Sequence, residues 1–319
     1  MPEPKLTLAV EHYDRHIPLL DRTVKAEGIQ LDVRHVTVES GRHERMLDGL
    51  EWDCAELSLS SYIMAITRGA ALTAIPVFPR RLFSQSQMYV NTAAGISGPQ
   101  DLIGKRVGLR SFQTTLSVLA KGDLQHEYGI PLDQVNWITS TDEPVSFQAP
   151  AGVSIERTPQ GNNIETMLVQ GEIDAYMVPR MPVPFVAGAP EVGRLFQDSR
   201  SEEISYFQRN GFYPIMHLVA IKQEVANQHP EVTAALFTAF EQAKETAFRF
   251  YDDPNWSSMA WAPQLAQEEQ LIMGGDTWPN GLEKNRSNLE RFIQYELDQG
   301  LIDGHLEVED LFHASSHHL

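Results

Sequence analysis

The sequence predicts an α/β protein with two lobes, each built on a mixed, mostly parallel sheet that carries helices on both faces. The chain has 319 residues, and at about 100–200 residues per domain this length suggests two domains. Short β-rich segments alternate with helical ones over the first two thirds of the chain, and this alternation is typical of parallel sheets. With 42% hydrophobic and 21% charged residues, the composition is that of an ordinary globular protein.

The N-terminal region alternates strands and helices. Strands are predicted at 6–10, 31–38 and 74–78, where apolar β-formers alternate or run together. Helices are predicted at 17–25, 43–49 and 60–68, the second of which stops at a glycine. A short buried segment is expected at 54–59. The order is β-α-β-α-β, which indicates a mostly parallel sheet.

A second α/β unit follows, and the chain then returns to the first. Strands at 105–109, 134–139 and 173–178 alternate with helices at 116–128 and 163–170. The chain returns to the first unit through a strand at 217–221 and a long amphipathic helix at 231–251. We therefore predict lobe 1 at residues 1–88 and 207–319, lobe 2 at 89–206, and a ligand cleft between them. The histidine-rich tail, 313–319, is expected to be frayed.

The net charge of −18 excludes a global attraction to nucleic acid or to an anionic membrane. A site for an anion must then be a local basic island, which makes single arginines informative. The N-terminus lacks a signal-peptide pattern, and no apolar run approaches the ~20 residues that span a bilayer. A cytoplasmic location is expected. The single cysteine, Cys54, excludes an intrachain disulfide and a thiolate zinc site.

Two motifs resemble the second lobe of type-2 periplasmic-binding-protein-like proteins. The first is 95–108, Gly-Ile-Ser-Gly-Pro-Gln-Asp-Leu-Ile-Gly-Lys-Arg-Val-Gly, and the second is 167–175, Met-Leu-Val-Gln-Gly-Glu-Ile-Asp-Ala. In that superfamily the first motif introduces the strand whose end faces the ligand. The resemblance implies a two-lobed fold with a cleft for a small molecule.

A narrower resemblance extends over nearly the whole chain. Segments 12–15, 56–62, 75–83, 211–217 and 278–286 are similar to those of the 4,5-dihydroxyphthalate decarboxylase-like family; 75–83, for example, reads Ile-Pro-Val-Phe-Pro-Arg-Arg-Leu-Phe. The family implies non-oxidative decarboxylation of 4,5-dihydroxyphthalate, or a close relative, to protocatechuate and CO2. No organic cofactor is expected. A divalent ion would suit a catechol or a carboxylate, but the sequence has no metal-ligand spacing, and no metal site is predicted.

Polar residues that follow predicted strands form the candidate site. His12, Asp14 and His217 are the candidate catalytic residues, with either histidine as acid or base and Asp14 as its orienter. Alternatively, Asp14 caps a helix and His217 packs in the core. Arginines suit carboxylates, and hydroxyls at helix starts suit anions. The candidate substrate-binding residues are Tyr13, Arg15, Ser58, Ser60, Ser61, Arg80, Arg81, Arg110, Gln113, Thr114, Thr115 and Arg180.

Other functions also fit this sequence, because a fold does not fix a function. The chain is either a decarboxylase, a solute-binding protein or sensor for a small aromatic or anionic ligand, or another lyase or dehydratase on the same fold. The absence of a Gly-x-Ser-x-Gly motif argues against a serine hydrolase. The expected partner is a small anionic aromatic carboxylate, and the sequence leaves a homo-oligomer open.

Overall fold

The computed structural model describes residues 3–319. Its contacts divide the chain into two compact units. The first unit comprises the chain up to Arg80, His217–Ser287 and Leu306–Leu319; the second comprises Arg81–Met216 and Asn288–His305. No helix of the described residues is long and apolar enough to cross a membrane.

Eleven strands alternate with helices along the described chain. The strands are β1 Lys5–Val10, β2 Gln30–His35, β3 Cys54–Ser58, β4 Leu72–Arg81, β5 Met88–Asn91, β6 Arg106–Leu109, β7 Asn136–Thr139, β8 Ser154–Arg157, β9 Ala175–Met177, β10 Val192–Arg194 and β11 Ile215–Lys222. The α-helices are α1 Ile17–Leu20, α2 Arg42–Gly49, α3 Leu59–Thr67, α4 Thr115–His126, α5 Ile164–Gln170, α6 Val183–Val186, α7 Ser199–Asn210, α8 Gln223–Gln228, α9 Glu231–Phe250, α10 Ala262–Met273 and α11 Leu282–Asp298.

The sheet of the first unit has the order β2-β1-β3-β11-β4. Strands β1, β2 and β3 are parallel, whereas β11 runs antiparallel to β3. Helix α9 covers the sheet with a buried apolar stripe that includes Val232, Leu236 and Phe240. The core therefore lies between this helix and the central strands, and β3 is buried along its whole length.

The sheet of the second unit has the order β10-β5-β9-β6-β7-β8. Strands β9, β6, β7 and β8 are parallel, and β5 and β10 add to one edge in antiparallel fashion. Gly108 in β6 has no room for a side chain, because a Cβ there would meet Ile164 and Ile173 at 2.9 and 2.7 Å. The predicted fold class, two mixed and mostly parallel sheets with helices on both faces, is confirmed.

The structure divides the chain at Arg80 and His217, whereas the sequence predicts boundaries at 88 and 207. The sequence also predicts that the segment 288–305 lies in lobe 1, but this segment packs in the second unit. Its Tyr295 hydroxyl donates to the buried Asp123 at 3.0 Å, and its ring lies directly over Gly122 of α4.

The tail, which was expected to be frayed, is packed in the first unit. The amide of His313 donates to the carbonyl of Ala74 at 3.0 Å, and the carbonyl of Leu319 accepts from Leu282 at 3.1 Å. Within the tail Ser316 is fully buried, and Leu311 and Phe312, which precede it, are buried as well. The hydroxyl of Tyr62 donates to the Leu311 carbonyl at 2.6 Å. Backbone pairing and the burial of the preceding apolar residues therefore fix the tail despite its polar composition.

Gly122→Ala is expected to destabilise the protein, because the new methyl would overlap the Tyr295 ring. Overpacking of this kind costs about 1–3 kcal/mol, more than the ~1 kcal/mol that alanine gains over glycine within a helix. Gly49→Ala is the matched control, since nothing lies within 4 Å of a Cβ placed there. Urea unfolding measures both variants. Equal stability of the two would contradict the packing of Tyr295 on α4.

Candidate active site

The pairing of β3 with β11 brings an acid and a histidine together in the first unit. Glu56 lies opposite Val219, and His217 lies opposite Ser58. In an antiparallel pair, Glu56 and His217 are thus diagonal neighbours on one face of the sheet. Their side chains meet, with 2.5 Å between Glu56 Oε1 and His217 Nδ1.

Glu56 is fully buried but extensively paired. The Arg42 guanidinium, itself fully buried, lies 3.2 Å from Oε1, and its Nε donates to the Glu56 carbonyl at 3.0 Å. The amide of Glu11, which follows β1, donates to Oε2 at 3.0 Å. Tyr13 donates from its hydroxyl to Oε1 at 3.4 Å. Three separate segments of the chain therefore converge on one carboxylate.

These contacts keep Glu56 ionised. Burial alone would raise the pKa of Glu56, but the Arg42 charge and the His217 hydrogen bond outweigh it and hold the pKa well below 4.5. An ionised carboxylate can only accept hydrogen bonds. The proton between Glu56 and His217 therefore belongs to His217 Nδ1.

His217 is neutral at pH 7. Burial lowers the pKa of His217 to about 4, although the hydrogen bond to Glu56 favours the charged form. With Nδ1 protonated, the lone pair of a neutral imidazole is on Nε2. This nitrogen has no hydrogen-bond partner among residues 3–319, and 8% of the side chain is exposed. The arrangement is that of an oriented general base.

Arg80 adds a positive charge beside this pair. It is half-buried at the end of β4, and its charge acts on both His217 and Tyr13. No hydrogen bond or ion pair engages its guanidinium in the described part of the chain. Burial and the Glu56 charge together raise the pKa of Tyr13, which keeps the phenol protonated. A neutral base therefore lies near an unpaired arginine, which can bind a carboxylate.

Asp14 and Arg15 form an ion pair that contacts the residue before Arg80. Arg15 donates to the carbonyl of Pro79, with Nε at 2.9 Å, and its guanidinium lies 4.0 Å from the ring centroid of Trp278. Asp14 pairs with Arg15 at 3.1 Å and accepts from the Tyr251 hydroxyl at 2.6 Å. Both charged groups of this pair are therefore engaged within the chain, and the carboxylate that orients His217 is that of Glu56.

The structure brings some predicted residues to Glu56 and leaves others apart. Tyr13 and His217 contact it directly. His12 is exposed, with its ring 5.4 Å from that of His35. The hydroxyl residues Ser58, Ser60 and Ser61 are buried where β3 passes into α3.

The other predicted residues belong to the second unit. Arg81 is buried and donates to the Tyr213 carbonyl at 2.6 Å. Gln113 is fully buried and pairs through its amide with the backbone of Val145. Thr114 and Thr115 lie at the N-terminus of α4, and Arg110 and Arg180 are exposed.

The backbone at the start of α4 already binds a carboxylate of the protein. The amides of Phe112 and Gln113 donate to Glu143 at 2.6 and 3.1 Å. Beneath them the buried Lys121 donates to the Phe112 carbonyl at 2.7 Å. The sequence predicts that Gln113, Thr114 and Thr115 of this loop bind substrate; in the structure Glu143 accepts from two backbone amides of the loop.

Glu56, Arg42 and His43 are not among the predicted catalytic or substrate-binding residues. His43 contacts His217 edge-on, with ring centroids 4.9 Å apart. The available signal was an acid inside an otherwise apolar strand, because a fully buried acid is rare unless it is paired. Among the described residues no cluster of three or more histidine, cysteine or acidic side chains is placed to hold a metal ion.

The chain is similar in sequence to two known enzymes. The chain is 33% identical to 4,5-dihydroxyphthalate decarboxylase of Comamonas testosteroni over 99% of its own length and 98% of that protein. It is 31% identical to the Pseudomonas putida protein of the same name, over 64% of this chain and 81% of that protein. No protein-family model matches the chain.

Solved structures show the fold. A sulfonate-binding protein of Methylobacillus flagellatus matches with a TM-score of 0.55 at 12% identity, over 98% of this chain and 92% of that chain. The alkanesulfonate-binding protein of Xanthomonas axonopodis, bound to MOPS, gives 0.53 at 10%, over 95% and 96%. A desulfurization enzyme gives 0.52 at 14%, over 96% of each chain. The fold thus carries both binding proteins and an enzyme, and it is of the periplasmic-binding-protein type.

Glu56→Gln is expected to lower the free energy of unfolding by about 3 kcal/mol, since the buried Arg42 loses its buried anion and keeps only Glu11, at 3.6 Å, as an ion-pair partner among the described residues. Arg42→Met should cost a similar amount. The double variant, Glu56→Gln with Arg42→Met, should lose clearly less stability than the two single variants lose together, because no buried charge of the pair is left unmatched. Denaturant unfolding at pH 7 gives all three values.

The control for these Glu56 and Arg42 variants is an exposed ion pair of the same unit. Arg45 and Glu51 are 2.5 Å apart with side chains 43% and 42% exposed, and exposed pairs contribute little to stability. Glu51→Gln should leave stability near that of wild type. A Glu56→Gln loss no larger than that of Glu51→Gln would contradict the account of Glu56.

Proposed function

The chain belongs to the 4,5-dihydroxyphthalate decarboxylase family, and we propose that it removes one carboxylate from 4,5-dihydroxyphthalate, or a close relative, to give protocatechuate and CO2. The observation that carries the proposal is the neutral His217, held by Glu56 through Nδ1 at 2.5 Å and open at Nε2. The two relatives that bear this name support the substrate class.

The reaction requires a base that is unprotonated at neutral pH. Each carboxylate of 4,5-dihydroxyphthalate lies para to a hydroxyl group. His217 Nε2 takes the proton of one hydroxyl, and the ring carbon para to it, which bears a carboxylate, takes up a proton from solvent. Glu56 stabilises the imidazolium that forms, as a carboxylate behind a catalytic histidine does.

Loss of CO2 then restores the aromatic ring. The bond between the protonated ring carbon and its carboxylate breaks, its electrons return to the ring, and CO2 leaves. The phenolate oxygen then recovers its proton from the His217 imidazolium. One proton is taken up overall, at the carbon that lost CO2, and no oxidant or reductant is required.

Arg80 is proposed to hold the carboxylate that stays on the ring. Its guanidinium has no partner among the described residues and acts electrostatically on His217. Two parallel N–H···O bonds suit a carboxylate. Arg15 helps to position this arginine, because it donates to the carbonyl of Pro79, the residue before Arg80.

The proposal is tested by incubating the purified protein with 4,5-dihydroxyphthalate and measuring CO2 and protocatechuate. His217→Asn is expected to lower kcat by about 10²-fold or more, because general base catalysis contributes that much. Arg80→Met is expected mainly to raise KM. The matched control is His12→Asn, which changes an exposed histidine of the same unit and should keep near wild-type turnover.

Loss of activity in His12→Asn with retention in His217→Asn would contradict the assignment of the base. Unchanged substrate together with a raised melting temperature would identify a binding protein for such acids without catalysis. If no product forms and the melting temperature does not rise, the proposed substrate class is wrong.

A further inference from the structure

Most polar side chains around Glu56 and His217 are hydrogen-bonded within the chain. Those bonded to Glu56 or to the backbone are Tyr13, Arg42 and His16. Two groups beside His217 have no hydrogen bond among residues 3–319, namely Arg80 and His43. Arg80 is a cation and suits a carboxylate. His43 is the group whose use is still unexplained.

His43 packs against His217 but has an unpaired ring nitrogen. It follows Arg42 in α2, and its ring stands at 84° to the ring of His217 with centroids 4.9 Å apart. Its Nε2 is inaccessible to water and has no hydrogen-bond partner in the described chain. Phenylalanine would make the same edge contact without burying an unsatisfied polar atom. The histidine nitrogen therefore serves a purpose other than packing.

We infer that His43 is a further substrate-binding residue, which hydrogen-bonds the second of two vicinal hydroxyl groups while His217 takes the first. The inference rests on the proposed function. Vicinal hydroxyls project from adjacent ring carbons, so the groups that bind them must also be neighbours. Among residues 3–319, His43 is the hydrogen-bonding neighbour of His217 that has neither a charge nor a hydrogen-bond partner.

A neutral imidazole suits a hydroxyl because it can donate to it or accept from it. Burial, together with the Arg42 charge and the neighbouring His217, holds the pKa of His43 well below 6.5. The ring must turn about its Cβ–Cγ bond to present a nitrogen to the ligand, since Nε2 is shielded. Recognition of both hydroxyls would make the site specific for a catechol over a simple phenol.

The test compares 4,5-dihydroxyphthalate with 4-hydroxyphthalate, which keeps a hydroxyl para to a carboxylate but lacks its neighbour. Wild type should prefer the dihydroxy acid by about tenfold or more in kcat/KM, since a site built to bind a hydroxyl discriminates against its absence. His43→Phe should reduce this ratio to about threefold or less, with the loss confined to the dihydroxy acid.

Ligand-induced thermal stabilisation gives the same preference independently of turnover. His43→Gln keeps an amide hydrogen bond and should retain part of the preference. The control, His229→Phe, changes an exposed histidine that pairs with Glu231 and should keep the wild-type ratio. Melting of the free His43→Phe protein at or above the wild-type temperature would show that the fold is intact.

An unchanged ratio in His43→Phe would overturn the inference. An equal loss with both acids would also overturn it, because that result indicates a packing role, and the proposed decarboxylation would stand. If wild type neither converts nor is stabilised by either acid, the proposed function fails, and the inference about His43 fails with it.

Discussion

The structure of the candidate site depends on one buried charge, the carboxylate of Glu56. An unpaired carboxylate without solvent contact would be destabilised by several kcal/mol, so its surroundings must supply both countercharge and hydrogen bonds. Arg42 supplies the charge at 3.2 Å, and the amide of Glu11 supplies a backbone hydrogen bond at 3.0 Å. Because these partners come from α2 and the end of β1, the carboxylate links those elements to β3.

The same charge fixes the state of His217. A carboxylate that is ionised and saturated with donors can only accept, so it selects the tautomer with the proton on Nδ1. Burial keeps that imidazole neutral at pH 7, and the negative charge behind it stabilises the cation once a proton is taken from a substrate. Glu56 therefore provides orientation at rest and charge compensation during the proposed reaction.

Much of the fold was predictable from local sequence, because periodic apolar segments and glycine stops indicate strands and helices directly. The alternation of strands and helices before residue 205 and the long helix α9 were predicted close to their observed positions. The packing of 288–305 in the second unit and of the tail in the first was not. Both depend on contacts between residues far apart in the chain, such as Tyr295 with Asp123, which are 172 residues apart.

The site was predictable only in part, for the same reason. His217 and Tyr13 were selected because each follows or flanks an apolar strand and matches a family motif. The partner of His217 could not be identified, since Glu56 lies 161 residues away and meets it only through the register of β3 against β11. Asp14 is closer in sequence to the other candidates, but Tyr251 and Arg15 engage it.

The central claim is that burial keeps His217 neutral while Glu56 holds its proton on Nδ1. Nitrogen-15 NMR of histidine-labelled protein tests it directly, with the His217 signals assigned by their loss in His217→Asn. The account predicts an Nδ1–H tautomer that does not titrate between pH 8 and pH 5, because the pKa of His217 is lowered to about 4. A titration near pH 6.5, or a proton on Nε2 at pH 7, would contradict it.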